Sequence, residues 1–197
     1  MSKELDEFWL YAATGRVEEL KVLLNNLKDW GQWPRPRELT HGLELAVKHE
    51  HTDVVALLAA LKDVNPDYAL SLALQTERRE MVDLLLPRAT ITVWHLMECV
   101  ANNKWVSVHM LQEKCPIQVL LFTFTLLMED KKVEDAEGIV QLRGAEILLH
   151  ELRERPNRYM AKPSAVEYLE QRAAEEQRAR LKQEIDGKTL ASSPRKI

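Results

Sequence analysis

The sequence predicts an all-α protein: a solenoid of stacked antiparallel helix pairs, followed by a charged C-terminal helix. Three observations predict it. Apolar residues recur at helical spacing in segments too short to bury them alone, so neighbouring copies must supply the cover. The grammar of the segment 8–24, FWLYAATGRVEELKVLL, returns three times further along. And the chain of 197 residues holds only 6 glycines, with 46% hydrophobic and 29% charged residues, which suits a helix-rich globular protein.

The first unit reads as two short helices folded back on each other at Gly15. Leu10 and Ala12 are expected to line the first helix, and Val17, Leu20, Leu23 and Leu24 the inward face of the second. A second unit covers 41–59 (HGLELAVKHEHTDVVALLA) and a third 68–86 (YALSLALQTERREMVDLLL). A fourth, 94–111 (WHLMECVANNKWVSVHML), keeps only the outline. The positions equivalent to Gly15 are Glu50, Glu77 and Asn103, at successive spacings of 35, 27 and 26 residues. Ala12, Ala46 and Ala73 let the first helices of each pair approach closely. Val54-Val55 with Leu57-Leu58 make an apolar face on a second helix, while Glu18, Glu19, Lys21, Asp53 and Asp83 fall between such positions. An irregular helical bundle is the alternative reading of the same pattern.

Beyond Cys115-Pro116 the pattern changes. Residues 117–128 (IQVLLFTFTLLM) are apolar on all sides, as in a helix buried between layers. A polar turn at 129–135 leads to a helix over 138–153, with Ile139, Leu142, Leu149 and Leu152 near one face. Together these form a divergent terminal unit, so the repeat domain is expected to span 1–155. Pro156 and Pro163 bracket a linker, 156–163. Ser164 with Glu167 reads as a capping box opening a charged helix over 164–186. Its apolar stripe (Val166, Leu169, Ala173, Leu181, Ile185) is thin, Gly187 is the expected stop, and a disordered tail is expected over 187–197.

These units resemble the ankyrin repeat, whose consensus runs roughly TPLHLAAxxGHLEVVKLLL. Gly15, Arg16 and Val17 fall on the consensus Gly-His-apolar run, Ala12 on the second alanine, and Val22, Leu23 and Leu24 on the closing leucines. The second unit matches through Leu43, Leu45, Ala46, His51, Asp53, Val54, Val55, Leu57 and Leu58. The third matches through Leu70, Leu72, Ala73, Glu80, Met81, Val82 and 84–86, and Asp63-Val64-Asn65 resembles the inter-repeat turn. A typical unit is about 33 residues. The later spacings are shorter, so the resemblance implies units that keep both helices but have lost most of the β-hairpin finger. The Thr-Pro start of each repeat is missing as well. What the resemblance implies for function is binding of one protein partner through the helical repeat surface and the 29–37 loop, as an adaptor, chaperone or assembly factor.

The candidate recognition segment is 29–37, DWGQWPRPR, where the first unit would carry its finger. Trp30, Trp33, Arg35 and Arg37 are the expected partner-binding residues, because Trp and Arg dominate binding hot spots. The alternative is that both tryptophans fold back over the helix ends. His41, His49 and His51 invite a metal reading, but no cysteine accompanies them and His51 sits at the family's inter-helix histidine, so no metal is expected. Cys99 with His95 at i, i+4 is expected to pack as a small hydrophobe rather than act as a nucleophile. There is no phosphate-cradling glycine loop, no HExxH and no G-x-S-x-G, so neither enzymatic activity nor a cofactor is expected. Ser193-Pro-Arg-Lys matches the substrate motif of proline-directed kinases and makes Ser193 a candidate phosphorylation site.

The rest concerns setting. A net charge of −4 is too mild to argue for nucleic acid, and Arg178, Arg180 and Lys182 are diluted by Glu175, Glu176 and Glu184. The longest apolar run is too short to span a bilayer. The acidic start MSKELDEFW reads as neither a signal nor a transit peptide, and the two cysteines form no secretory framework. A cytoplasmic or nuclear location is therefore expected. Two other functions remain open: a structural subunit buried in a larger complex, anchored by the charged helix, and a helical-repeat nucleic-acid binder.

Overall fold

The structure, a computed structural model, describes residues 3–112, 114–159 and 161–191. Those residues are all-α, with no strand among them. They form two compact units that divide between Lys114 and Cys115.

The first unit holds eight helices: α1 (Lys3–Thr14), α2 (Val17–Asp29), α3 (Pro36–Lys48), α4 (Thr52–Ala59), α5 (Asp67–Gln75), α6 (Arg79–Leu85), α7 (Val93–Ala101) and α8 (Trp105–Leu111). Consecutive helices pair: α1 with α2, α3 with α4, α5 with α6, α7 with α8. The first helices of the pairs also pack on one another in sequence, α1 on α3, α3 on α5 and α5 on α7. The second helices do the same, α2 on α4, α4 on α6 and α6 on α8.

One turn makes this pairing repeat. Gly15, Glu50, Glu77 and Asn103 all have left-handed backbone, with φ of 72°, 62°, 55° and 56°. At the last three, the amide of the left-handed residue bonds back to a carbonyl three residues earlier. The next amide reaches one five residues earlier, as in His51 N to Ala46 O at 2.9 Å. This double bond pattern closes the helix end and reverses the chain. These are the positions at which the sequence predicts the turns. The polar turn expected at 129–135 closes in the same way at Lys131, φ 59°, with Lys131 N to Met128 O at 3.3 Å and Lys132 N to Leu127 O at 2.9 Å. Left-handed backbone crowds a Cβ, and lysine has no local side-chain hydrogen bond to offset that. Lys131→Gly is therefore expected to stabilise the protein by about 1 kcal/mol, and Asn103→Gly by less, because asparagine tolerates this conformation. Urea unfolding midpoints of the two variants measure the difference.

The core follows the pairs. Phe8, Ala12, Leu20, Leu39, Leu43, Ala46, Val54, Val55, Leu58, Leu70, Ala73, Val82, Leu96 and Leu111 are all buried. Leu10 is not: it is 54% exposed, because two residues turn a helix by about 200° and carry it off the face that Phe8 and Ala12 share. Val22 is likewise 59% exposed, while Leu27 takes a core place that the pattern did not name. On α4 the buried residues are Val54, Val55, Leu58 and Ala59, and Leu57 is only half-buried. Arg88 ties the stack from outside, donating to the carbonyls of Ala59, Leu61 (2.5 Å), Lys62 (3.0 Å) and Val64 (3.4 Å) at the end of α4.

The second unit contains α9 (Ile117–Glu129), α10 (Val133–Arg143), α11 (Ala145–Glu154), α12 (Pro156–Tyr159) and α13 (Pro163–Ala191). α9 packs against each of the other four. Leu120, Leu121, Phe124 and Leu127 are its buried side chains, while Phe122 is 40% exposed. The single helix expected over 138–153 is two helices broken at Gly144, whose φ of 86° ends α10 and starts α11. Ile139, Leu142, Leu149 and Leu152 are all buried, so the break leaves the apolar pattern unmarked.

α13 differs from its expectation in two ways. It begins at Pro163, so Ser164 lies inside its first turn rather than capping it, and it runs through Gly187 to Ala191. It packs along α11. Leu169 and Ala165 are buried there, and Glu176 accepts from the Ala145 amide at 3.1 Å, capping the start of α11. Tyr168 donates to Glu137 at 2.5 Å, and Arg172 donates to both oxygens of that carboxylate. Burial alone would raise the Glu137 carboxyl, but hydrogen bonds from Tyr168, Arg172 and Gln141 hold it below the usual range.

Candidate functional site

The segment singled out as a recognition loop is shorter than 29–37. Asp29 closes α2, and Pro36 and Arg37 already belong to α3, so the irregular stretch is 30–35. Gly31, φ 67°, makes the same reversal seen at the other helix ends, with Gln32 N to Leu27 O at 2.8 Å. Proline at the first position of α3 costs no hydrogen bond there. Glu38 completes the start by accepting from the Arg35 amide at 2.8 Å.

Trp30 is 58% exposed at the end of α2, and Trp33 is 37% exposed. Trp33 and Arg35 line one shallow cleft with Leu5, Leu27, Gln32, Pro34 and Glu38. Arg37 is exposed on the first turn of α3 and does not line that cleft. The structure thus brings Trp33 and Arg35 together and leaves Trp30 and Arg37 at the segment's two ends. Ser193 lies outside the described residues.

Two histidines, His51 and His95, tie neighbouring units together. His51 Nε2 faces the Ala13 carbonyl at 2.9 Å, and because a carbonyl only accepts, that nitrogen carries the proton. His51 thereby links the second pair to the turn of the first. A Cβ on Gly15 would meet His51 Nδ1 at 2.6 Å, so glycine is required there for space as well as for φ. His95 repeats the device: Nδ1 accepts from the Thr92 hydroxyl at 2.8 Å, and Nε2 donates to the Asp67 carbonyl at 3.1 Å. His41 instead lies in the open, edge-on to Trp9 with ring centroids 5.2 Å apart. Among the described residues no cluster of three or more His, Cys, Asp or Glu is placed to hold a metal ion. Cys99 and Cys115 are free and buried, and burial pushes both thiols up to about 12, which leaves no thiolate nucleophile at neutral pH. None of the described helices is long and apolar enough to cross a membrane.

On the helical repeat surface, the sequence pattern did not single out a row on the first helices of the pairs. His41, Tyr68 and Trp94 each stand nine residues before a left-handed turn residue, at Glu50, Glu77 and Asn103. Tyr68 is 54% exposed, Trp94 is 52% exposed, and His41 is exposed too. One helical turn further on lie Leu45, Leu72 and Glu98, each half-buried. The signal was present once the turns were aligned, since an aromatic ring recurs at one register. Compared with known protein families, curated proteins and solved structures, the chain matches none significantly.

Proposed function

We propose that this chain is a non-enzymatic protein-interaction module of ankyrin-repeat type, an adaptor, chaperone or assembly factor that holds one protein partner. The observation that carries the reading is the recurrence of one helix-pair unit with a left-handed residue at each internal turn. Thr92 and His95 add to it, because a Thr-x-x-His start belongs to the repeat consensus and here makes the bond between units. A stack of such units offers an extended surface rather than an enclosed pocket, which suits a protein partner. Trp33 and Arg35 in one cleft supply the residue types that anchor such interfaces. The module works in the cytoplasm or nucleus, needs no cofactor, and does not bind nucleic acid. A second reading, a subunit held within a larger assembly, draws on Leu181, which is 52% exposed on the outer part of α13.

Affinity purification from the native cell with mass-spectrometric identification supplies the partner, and Trp33→Ala then tests the cleft. The expected result is a loss of about 2 kcal/mol in partner affinity, roughly thirty-fold, with an unchanged melting temperature. A lower melting temperature with affinity intact would mean that Trp33 only covers the helix ends.

A further inference from the structure

We infer that the row His41–Tyr68–Trp94 is a docking surface for an extended, arginine- or lysine-bearing segment of a partner protein, an inference that rests on the protein-binding reading above. The three rings occupy one register on α3, α5 and α7, which pack on one another in that order. Packed helix axes lie about 8–10 Å apart, so successive rungs have about that spacing. In a polyproline II chain, with three residues per turn and about 3.1 Å rise, every third side chain shares one face at about 9 Å spacing, so such an extended chain laid across the helices meets one rung with every third side chain. Leu45 and Leu72, half-buried one helical turn beyond His41 and Tyr68, add apolar surface to the first two rungs.

Charge selects the occupant. The first helices of the four pairs carry seven carboxylates (Glu4, Asp6, Glu7, Glu38, Glu44, Asp67 and Glu98) against Lys3, Arg37 and Lys48. α5 and α7, which hold the two large exposed rings, have Asp67 and Glu98 and no Lys or Arg at all. Glu44 lies 3.5 Å from the His41 ring. Aromatic faces bordered by carboxylates favour a guanidinium or ammonium group above the ring, where the ring quadrupole and the acids attract it together. Single-stranded nucleic acid also stacks on exposed rings, but it needs a cationic groove beside them, and these helices supply the opposite sign.

The test is selection of a randomised linear-peptide phage library on the full-length protein, followed by affinity measurements with the selected synthetic peptides. The expected peptides carry Arg or Lys interspersed with apolar residues, and their binding weakens as salt rises. Trp94→Ala and Tyr68→Ala should each weaken them by about tenfold or more, and leave the melting temperature unchanged because both side chains are half exposed. Acidic or uncharged selected peptides, or tight binding by the Tyr68→Ala/Trp94→Ala double variant, would overturn the inference. Peptides lost through Trp33→Ala instead would overturn it and leave the broader protein-binding reading standing. Recovery of no specific peptide would count against both, and retention of a single-stranded RNA oligonucleotide on the row would replace the protein partner altogether.

Discussion

Phe8→Ala is expected to lower the unfolding free energy by about 3–5 kcal/mol, a large share of the roughly 5–15 kcal/mol typical of a folded protein. Phe8 is fully buried, and with Phe124 it is one of the two phenylalanines among the largest side chains that are completely covered. Its ring lies against Gly42 in the middle of α3, where a Cβ would meet Cε1 at 2.5 Å and Cζ at 2.8 Å. Glycine in a helix interior costs about 1 kcal/mol relative to alanine. The α1–α3 contact requires that cost, because the ring fills the space a methyl group would need. Gly42→Ala should therefore destabilise the protein despite its better helix propensity. In the Phe8→Ala background the same change should be neutral or stabilising, since the clash is gone. The double-mutant cycle from chemical denaturation measures this coupling. Additive effects would mean that Phe8 and Gly42 are not packed together.

How much of this was legible depends on what each residue type reveals. Gly15 marks its turn because glycine is the ordinary occupant of left-handed backbone. Glu50, Glu77 and Asn103 could be placed only by aligning the units around them. The polar run 129–135 gave the turn at Lys131 only as a range, because no unit was aligned there and lysine carries no turn signal of its own. The break at Gly144 escaped for a different reason. Ile139, Leu142, Leu149 and Leu152 fall within one broad half of a single helical wheel, and a lone glycine in a helical pattern is ambiguous. Leu10 was misplaced because apolar character says nothing about direction until Phe8 and Ala12 fix the face. Of the candidate site, the residues at 30–35 were legible from composition. The exposed rings at Tyr68 and Trp94 were hidden, since an aromatic residue on an apolar helix reads by default as core.

The docking of α13 was the least legible element, and Leu169→Ala is the prediction that tests it. A helix this charged reads as a solvated spacer, because its apolar residues are few. The structure shows a contact that needs few. Leu169 and Ala165 are buried, and polar bonds to α10 and α11 accompany them. Their magnitudes differ. The Arg180–Glu146 pair, at 3.2 Å, has both side chains about two-thirds exposed, and Arg153–Glu170, at 2.6 Å, is half exposed. Such pairs contribute about 0–1 kcal/mol each. The Tyr168–Glu137–Arg172 group is better shielded and fixes orientation, because a carboxylate held by several donors tolerates little displacement. Leu169 is fully buried, so Leu169→Ala should cost about 2–5 kcal/mol. Arg180→Ala should change stability by less than about 1 kcal/mol. Hydrogen exchange gives the local readout, with faster exchange expected along both α11 and α13 in the Leu169 variant. Unchanged exchange in α11 would show that α13 stands free of it in solution, and that the polar contacts do not hold it there.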